Sequence, residues 1–347
     1  MDKISRVLVT GGAGYIGSHA TWQLIDAGYS VVVLDNLYSG HRWAVHPRAA
    51  FEEGNAGDIE LVRQLLRRFS IDAVLHFAGH IVVPESVSDP LKYYQNNTAV
   101  SRNLIAACAE EDVGNFVFSS TAAVYGTPET IPVTEQTPTV PINPYGRSKL
   151  MTEWMLRDLA QSELSGATSK RFRYIALRYF NAAGARLDGA LGQATPEATH
   201  LIKTACEAAC GLRDRLSIFG TDYDTPDGTC VRDYIHVDDL AAAHVAALQY
   251  LEQAEQSQIF NCGYGRGFSV HEVLAMVRDV SGQDFAITEA PRRAGDPPAL
   301  ISDSSLLRRV LHWQPKYEDL RTICESAYRW ERGLQEKNTW RKERKQH

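Results

Sequence analysis

A cluster of glycines near the start of the chain constrains its fold more than any other feature. Gly11, Gly14 and Gly17 follow a short apolar run, Arg6–Thr10, and lead into a stretch with helical periodicity at residues 16–26. A glycine-rich turn between a strand and a helix lets the backbone approach a pyrophosphate, which the helix N-terminus then stabilises. The sequence therefore predicts a dinucleotide site here. Tight packing of the helix on the strand, without a nucleotide, is the alternative explanation of the same glycines.

The end of the second apolar run indicates which dinucleotide is bound. Asp35 ends that run and Asn36 follows it. A carboxylate here hydrogen-bonds the adenosine ribose hydroxyls and repels the additional phosphate of NADP, whereas an arginine would favour that phosphate. We therefore predict NAD as the cofactor. Asp58 and Ile59 are predicted to hold the adenine edge, and a helix cap is the alternative role for Asp58.

Short apolar runs alternate with helical stretches through the first 180 residues. The later runs are 31–35, 73–77, Asn115–Ser119 and 174–178, and the helical stretches between them are 60–69, 91–111 and 145–162. This alternation is typical of βαβ units and a parallel sheet. We predict an α/β fold, with a Rossmann-like doubly wound parallel sheet and a smaller mixed α/β substrate domain. Ligands are expected outside the carboxyl ends of the strands.

The composition changes after residue 180, where loops rich in glycine, proline and polar residues begin. We predict an NAD-binding domain at residues 1–180, with 233–260 returning to it as a strand and an alanine-rich helix. The substrate domain is predicted to comprise residues 181–232 and 261–335. Residues 336–347 are basic and lack an apolar stripe, which predicts a frayed, solvated tail.

Composition argues against several classes of function. The 347 residues include 36 Lys and Arg against 42 Asp and Glu, a net charge of -6, which argues against nucleic acid or an anionic membrane as the main partner. No apolar run approaches the roughly 18 residues of a membrane span, so a cytoplasmic location is predicted. The six cysteines include no C-x-x-C pair, and neither a disulfide framework nor a metal site is predicted.

A tyrosine and a lysine are spaced for proton chemistry. Tyr145 and Lys149 lie four residues apart and hence on one face of the predicted helix. A free phenol has a pKa near 10, and a neighbouring ammonium favours the phenolate, so a shift of about 3 units would make Tyr145 a usable base. A pair of surface residues without function is the alternative for this common spacing.

Several short motifs occur in one order along the chain. They are the glycine turn, Asp35-Asn36-Leu37, His76-Phe77-Ala78-Gly79, Ser119-Ser120-Thr121-Ala122-Ala123-Val124-Tyr125-Gly126, the Tyr145 and Lys149 pair, Arg178-Tyr179-Phe180-Asn181 and Val231-Arg232-Asp233-Tyr234-Ile235-His236. Together they resemble the extended short-chain dehydrogenase/reductase family and, within it, the UDP-glucose 4-epimerases. The resemblance runs from about residue 6 to residue 335.

The resemblance implies roles for most of these residues. Tyr145 is expected to be the catalytic acid and base, Lys149 to hold the nicotinamide ribose and lower the tyrosine pKa, and Thr121 to hydrogen-bond the sugar 4-hydroxyl. The implied NAD contacts also include Tyr15, Ile16, Phe77, Ala78, Gly79, Asn96 and Phe180. The implied UDP-sugar contacts are Thr121, Tyr145, Asn181, His200, Leu201, Ser217, Phe219, Arg232, Arg293 and Asp296. An ion pair with Asp233 is the alternative role for Arg232.

Three positions depart from the family pattern. Ile81 stands where many relatives have a lysine, so one cofactor contact is replaced or lost. His200 stands where an asparagine is common, and a structural role is its alternative. Leu300 replaces a bulkier tyrosine near the sugar in some relatives, which leaves the sugar preference open.

The function implied by the resemblance is reversible C4 epimerisation of UDP-glucose and UDP-galactose. It proceeds through a 4-keto intermediate, with transient hydride transfer to tightly bound NAD. A UDP-pentose or UDP-N-acetylhexosamine 4-epimerase would use the same catalytic residues. Dehydratases and decarboxylases of nucleotide sugars usually carry an acidic residue where this chain has Ala122 and Ala123. A non-catalytic NAD-binding regulator would have no need of Thr121, Tyr145 and Lys149.

The resemblance also implies the partners of the chain. Besides the UDP-sugar substrate, a second copy of the chain is expected, because relatives form homodimers. The contact would be made by the helices that match residues 90–111 and 145–162. No nucleic acid and no membrane are expected as partners.

Overall fold

The computed structural model describes residues 4–162, 172–195, 198–253, 256–293 and 295–344, with side chains as far as residue 334. The strands are β1 (Arg6–Thr10), β2 (Ser30–Asp35), β3 (Ala50–Glu53), β4 (Ala73–His76), β5 (Asn115–Ser119), β6 (Arg173–Tyr179), β7 (Asn181–Ala183), β8 (Arg215–Phe219), β9 (Val231–His236), β10 (Gln258–Cys262), β11 (Gly267–Ser269), β12 (Ala286–Ala290) and β13 (Ala299–Leu300). The helices are α1 (Tyr15–Asp26), α2 (Ile59–Arg68), α3 (Val83–Ser88), α4 (Pro90–Tyr93), α5 (Val100–Glu110), α6 (Pro144–Gln161), α7 (Leu201–Ala209), α8 (Val237–Gln253), α9 (Val270–Ser281), α10 (Ser305–Leu311) and α11 (Leu320–Arg344).

Seven strands form one parallel sheet in the order β10-β6-β5-β4-β1-β2-β3. Its two faces are both buried: Val7 and Val9 pack into one core and Leu8 into the other, and all three side chains are fully buried. Parallel sheets need this double cover, which explains why their strands are continuously apolar. Strands β2 and β3 extend the sheet on one side of β1, and β4, β5 and β6 extend it on the other. A crevice forms between β1 and β4, where the strand order reverses. The predicted fold class is confirmed.

A second, smaller group of strands lies beyond the sheet. Strand β9 pairs with β7, β11 and β13, and β8 pairs with β12. Helices α7, α9 and α11 cover a core of their own around Ile202, Val273 and Ile323. Within the described residues, none of the helices is long and apolar enough to cross a bilayer. The predicted cytoplasmic location stays a prediction.

Strand β9 differs from its predicted place. It was expected to return to the first sheet, and it lies instead at the centre of the second. The fully buried carboxylate of Asp233 explains this position, because it accepts hydrogen bonds from the backbone N–H groups of Tyr264, Gly265 and Ser302. These contacts are distant in sequence, so the local pattern carries no sign of them. The helix that follows, α8, packs against α1 of the first sheet.

Two helices also differ from their predicted form. The predicted helix at 91–111 is divided by a π-helical turn, Tyr94–Ala99, and Asn97 in that turn hydrogen-bonds the backbone of His80. Helix α11 continues to Arg344, so the predicted frayed tail is helical to that point, and residues 345–347 lie outside the described residues. Lysine, arginine and glutamate have good helix propensity, which lets an established helix continue.

A buried ion pair joins α7 to α11. Lys203 contacts Glu331 on α11 and, at 3.2 Å, Glu207 one turn along its own helix. Lys203 and Glu331 are both buried. Burial raises the pKa of Glu331, and the neighbouring lysine opposes that increase. Burial makes each charge costly by itself, and each residue compensates the charge of the other.

We expect Lys203→Met to lower the free energy of unfolding by about 3 kcal/mol near neutral pH, because Glu331 would keep a buried, unpaired charge. The loss should shrink at acidic pH. The folded-state pKa of Glu331 lies above its unfolded value, so the folded protein gains protons first as the pH falls. Urea denaturation at two pH values measures both effects.

The control is Asp279→Ala, which removes an exposed ion pair between Arg321 on α11 and Asp279 on α9. Exposed pairs contribute about 1 kcal/mol or less. A loss of stability in Lys203→Met that is equal at both pH values would contradict the role of the buried charge.

Candidate active site

A cleft of about 770 Å³ lies outside the carboxyl ends of the central strands and reaches the second group of strands. It is lined by every predicted site residue except Lys149, Asp58 and Ile59. The predicted residues that line it are Gly11, Gly14, Tyr15, Ile16, Gly17, Asp35, Asn36, Phe77, Ala78, Gly79, Asn96, Thr121, Tyr145, Phe180, Asn181, His200, Leu201, Ser217, Phe219, Arg232, Arg293 and Asp296. The structure thus brings together residues that are up to about 285 positions apart in the chain.

The glycine turn makes one wall of the cleft, and its geometry requires glycine. Gly11 has a φ of +73°, and a Cβ there would lie 2.6 Å from the backbone nitrogen of Ala78. A Cβ on Gly17 would lie 2.2 Å from the carbonyl oxygen of Gly11. Gly14 is the N-cap of α1 and has no side chain to cap it. The N-terminus of α1 therefore faces the cleft with free N–H groups, which suits a diphosphate.

Asp35 fixes the glycine turn to the end of β2. Its Oδ2 accepts a hydrogen bond from the Ala13 N–H at 2.9 Å, and its Oδ1 accepts one from the Leu37 N–H at 2.8 Å. The carboxylate is buried in the cleft wall, and each oxygen can accept a further hydrogen bond. Asn36 and Tyr38 follow it along the cleft and bring no positive charge. This chemistry fits an unphosphorylated adenosine ribose and therefore NAD.

The two residues predicted to hold adenine, Asp58 and Ile59, are not among those that line the cleft. Asp58 is the N-cap of α2, and its Oδ1 accepts a hydrogen bond from the Leu61 N–H at 3.1 Å. Neither Asp58 nor Ile59 lines the cleft, where residues 54–56 stand instead. Asp58 therefore caps a helix, which was its alternative role. Its second carboxylate oxygen takes no part in the cap, and a contact with adenine stays a prediction.

Tyr145 and Lys149 lie on one face of α6, one turn apart and both buried. The Lys149 Nζ donates a hydrogen bond to the carbonyl oxygen of Ser119 at 2.9 Å and lies 4.9 Å from the centre of the Phe118 ring. It stands directly behind Gly79, whose missing Cβ would be 3.5 Å away. Burial lowers the pKa of Lys149 to about 8.

The pKa of Tyr145 is shifted in the direction opposite to the prediction. Burial raises it most, the neighbouring Tyr179 raises it further, and the hydrogen bond with Thr121 lowers it. Lys149, which was predicted to lower this pKa, is not among the causes of the shift in the protein alone, and its ammonium donates a hydrogen bond to the Ser119 carbonyl. The Thr121 Oγ1 accepts a hydrogen bond from the Ala123 N–H at 3.1 Å, which leaves its own hydrogen for Tyr145.

The far end of the cleft carries positive charge. Arg232 lies 3.7 Å from Asp296 and donates a hydrogen bond to the backbone of Val231, and its neighbour Asp233 is engaged with other partners. The Arg293 guanidinium lies 4.1 Å from the centre of the Phe219 ring. Arginine pairs of this kind suit the diphosphate of a nucleotide.

His200 stands where the cleft meets α7. Its Nδ1 lies 2.9 Å from the Gln193 Nε2, and burial lowers its pKa. With the amide donating, the histidine Nδ1 accepts and the neutral ring carries its hydrogen on Nε2. His200 therefore contributes a hydrogen-bond donor without a charge.

Several residues that line the cleft were not predicted from the sequence, and two of them are aromatic residues in contact with each other. Tyr38 and His80 line the cleft beside Ile81, and their ring centres lie 4.9 Å apart. Lys92 contacts the Tyr38 hydroxyl at 3.3 Å and Glu85 at 2.5 Å. Both aromatic residues belong to loops that follow strands on either side of β1, and that position was the one signal in the sequence that could have identified them.

Residues 7–263 match the model of the NAD dependent epimerase/dehydratase family. The chain belongs to this family.

It is 55% identical to the UDP-glucose 4-epimerase of Azospirillum brasilense over 331 residues, which cover 95% of this chain and 93% of that protein. The crystal structure of the Brucella ovis UDP-glucose 4-epimerase in complex with NAD matches with a TM-score of 0.88 and 45% identity, covering 93% of this chain and 97% of that one. The UDP-Glc/GlcNAc 4-epimerase of Campylobacter jejuni matches with a TM-score of 0.81 and 52% identity, covering 95% and 99%.

We expect Gly17→Ala to weaken NAD binding at least about tenfold, which corresponds to about 1.4 kcal/mol. The new methyl group would displace the carbonyl of Gly11 and with it the diphosphate cradle. Mass spectrometry of nucleotide released from the purified protein measures its amount and separates NAD from NADP. Gly333→Ala is the control, because a Cβ on Gly333 meets nothing within 4 Å. Equal NAD content in both variants would rule out the cradle, and NADP as the main nucleotide would rule out the role of Asp35.

Proposed function

We propose that this protein is a UDP-glucose 4-epimerase, an isomerase that interconverts UDP-glucose and UDP-galactose. One observation carries the proposal: Tyr145 and Thr121 meet in the cleft between a dinucleotide cradle and an end rich in arginine. A sugar joined to UDP would reach from Arg232 and Arg293 to these two hydroxyl groups. The family and the epimerases to which the chain is similar support the same activity.

In the proposed mechanism Tyr145 removes the proton of the sugar 4-hydroxyl and later returns it. Thr121 donates a hydrogen bond that stabilises the phenolate, as its effect on the tyrosine pKa indicates. NAD⁺, when bound, would accept the C4 hydride as Tyr145 takes the hydroxyl proton, and it would bring a positive charge to the site. Inversion would then require the 4-keto sugar to turn over in the cleft before the hydride is returned to its opposite face, so the reaction would consume no cofactor.

Lys149 has two tasks in this proposal. Its ammonium lies behind Gly79, where it can reach the nicotinamide ribose, and its hydrogen bond to Ser119 holds the turn that carries Thr121. Burial makes the charged lysine costly, as its lowered pKa shows. We infer that contact with the cofactor offsets this cost and keeps the ammonium charged during turnover.

The residues proposed to bind the nucleotide form two sets, one for the diphosphate and one for the uridine. Arg232 and Arg293 are placed to neutralise the diphosphate, and His200 adds an uncharged donor. Ser217 and Phe219 on β8 are proposed for the uridine, together with Leu201, Asn181 and Asp296 at the edges of the cleft.

We also propose a homodimer. The predicted contact surface lies on the helices of residues 90–111 and 145–162, where α4 and α5 pack on α6. Leu91 on α4 and Trp154 on α6 are exposed, and large exposed apolar side chains are typical of a protein interface when they form a patch. Sedimentation analysis of the purified protein tests the association.

A UDP-N-acetylhexosamine activity is the second candidate. Leu300 lines the cleft and packs in a small apolar cluster with Val124 and Phe180. A leucine offers no hydroxyl, so discrimination between sugars would depend on shape. The similarity to an epimerase that is named for both UDP-Glc and UDP-GlcNAc agrees with this possibility. The alanines at 122 and 123 provide no added acid for a dehydratase.

We expect Tyr145→Phe to lower kcat about 10²- to 10⁴-fold, the usual contribution of general acid and base catalysis, while NAD stays bound because the ring is kept. A coupled assay of UDP-galactose conversion and the NAD content of the purified variant measure the two effects. Tyr250→Phe makes the same change on α8, where the ring packs on Phe260, and should leave turnover unchanged. Turnover of Tyr145→Phe at the wild-type rate would remove Tyr145 as the base.

We expect Leu300→Ala to increase kcat/KM for UDP-N-acetylglucosamine relative to UDP-glucose. A methylene-sized difference in an apolar pocket changes specificity about 10- to 200-fold, and the lost side chain makes room beside the sugar. Leu311→Ala removes a similarly buried leucine from α10 and controls for loss of stability. A ratio that is the same in wild type and in Leu300→Ala would show that Leu300 does not limit the pocket.

A further inference from the structure

Residues 119–121, which comprise the last residue of β5 and the start of the following loop and are called the turn below, are tied to α6 at two places already described. The Ser119 carbonyl accepts the hydrogen bond of Lys149, and the Thr121 hydroxyl interacts with Tyr145. Tyr145 and Lys149 are separated by four residues and point in the same direction from the helix. Ser119 and Thr121 are thus both held by α6, through residues one helical turn apart.

The residue between them is held by the next turn of the same helix. The Ser120 Oγ donates a hydrogen bond to the Glu153 Oε1 at 2.5 Å, and Glu153 lies four residues after Lys149. Ser120 and Glu153 are buried, and neither lines the cleft. Three consecutive residues of the turn therefore meet three residues of α6 spaced one helical turn apart.

The Glu153 carboxylate is itself fixed by a strand of the first sheet. Its Oε1 accepts from the Arg178 Nε at 3.0 Å and its Oε2 from the Arg178 Nη2 at 2.6 Å. The same guanidinium donates through Nη1 to the Tyr125 hydroxyl at 3.0 Å, and that hydroxyl donates to the Asn261 Oδ1 at 2.7 Å. Tyr125 ends the 3-10 turn Ala122–Tyr125 that follows Thr121. Both sides of Thr121 are thus attached to one buried ion pair.

We propose that Glu153, acting through Ser120, is a positioning residue that holds the Thr121 hydroxyl in line with Tyr145. This proposal rests on the proposed function of Tyr145 and Thr121. Neither Glu153 nor Ser120 reaches the substrate, so their effect passes through the turn. Loss of the Ser120 hydrogen bond frees the turn to move relative to α6, which weakens the Thr121 hydrogen bond that favours the phenolate.

A purely structural role of the buried ion pair makes a different prediction, and two variants separate the roles. Ser120→Ala removes the link to the turn but keeps the pairing of Glu153 with Arg178. Glu153→Gln keeps a group that can hydrogen-bond Ser120 but removes the charge that faces the buried Arg178. The first variant should affect chemistry more than stability, and the second should affect stability more than chemistry.

For Ser120→Ala we expect kcat for UDP-galactose to fall about three- to tenfold with KM nearly unchanged. The limb of the pH profile that reports the phenolate should move up by as much as about one unit, since one unit changes the phenolate fraction tenfold. The melting temperature should stay near that of the wild type. Glu153→Gln should lower the melting temperature more and move the limb less.

Ser326→Ala is the matched control. Ser326 is also buried and hydrogen-bonded, to the Ile323 carbonyl and to His236, but it lies on α11, has no hydrogen bond to the turn and does not line the cleft. It should lose a similar amount of stability and keep the wild-type pH profile. A wild-type kcat and pH profile in Ser120→Ala, or an equal shift in Ser326→Ala, would overturn the proposal.

A titration without turnover separates this proposal from the proposed function. The phenolate absorbance of the NAD-loaded protein, after subtraction of the Tyr145→Phe signal, reports the ionisation of Tyr145 directly. Its midpoint should be higher in Ser120→Ala than in the wild type. If the wild type fails to interconvert UDP-glucose and UDP-galactose, the proposed function fails, and this midpoint still decides whether Ser120 acts on Tyr145.

Discussion

Cover on both faces of the seven-stranded sheet is the constraint on which the rest of the structure depends. A strand such as β1, with Val7, Leu8 and Val9 buried in two different cores, has no side on which a polar group can meet solvent. Polar side chains of the sheet that face the cleft are therefore found where strands end. Asp35 ends β2 and Ser119 ends β5, and both face the cleft. The site lies at this edge of the sheet because polar side chains and backbone groups are accessible there.

The same burial sets the electrostatics of Tyr145 and Lys149, the pair proposed for catalysis. It lowers the pKa of Lys149 to about 8 and raises the pKa of Tyr145, so each group is driven towards its neutral form. Neither shift helps a reaction that needs a phenolate beside an ammonium. The hydrogen bond from Thr121 works against the effect of burial on Tyr145. Preorganised dipoles of this kind act strongly in a site that excludes water, which makes the exact place of the turn at 119–121 important for chemistry.

Only part of the site could be predicted from local patterns in the sequence. The glycine turn and the spacing of Tyr145 and Lys149 are short-range features that limit the local geometry, whereas the roles of most other site residues came from the resemblance to the epimerases. The ion pair of Glu153 with Arg178 joins α6 to β6, and the contact of Tyr38 with His80 joins two loops. Such contacts follow from the packing of distant segments, so spacing carries no sign of them. The direction of the Tyr145 pKa shift was missed for a related reason, since it depends on burial in the assembled fold.

The residues proposed for catalysis and those proposed for sugar selection lie in different parts of the fold, which affects how substrate preference can change. Tyr145 and Lys149 lie on α6 and Thr121 follows β5 of the first sheet, whereas Arg232 and Leu300 lie on neighbouring strands of the second. Leu300 is paired in register with Arg232, and side chains in register on adjacent strands lie on the same face. The residue proposed to limit the sugar thus stands beside the cation proposed for the diphosphate. On these proposals, a change of size at position 300 alters sugar selection without touching the proposed acid and base, but it also perturbs the arginine proposed to bind the diphosphate of every UDP-sugar.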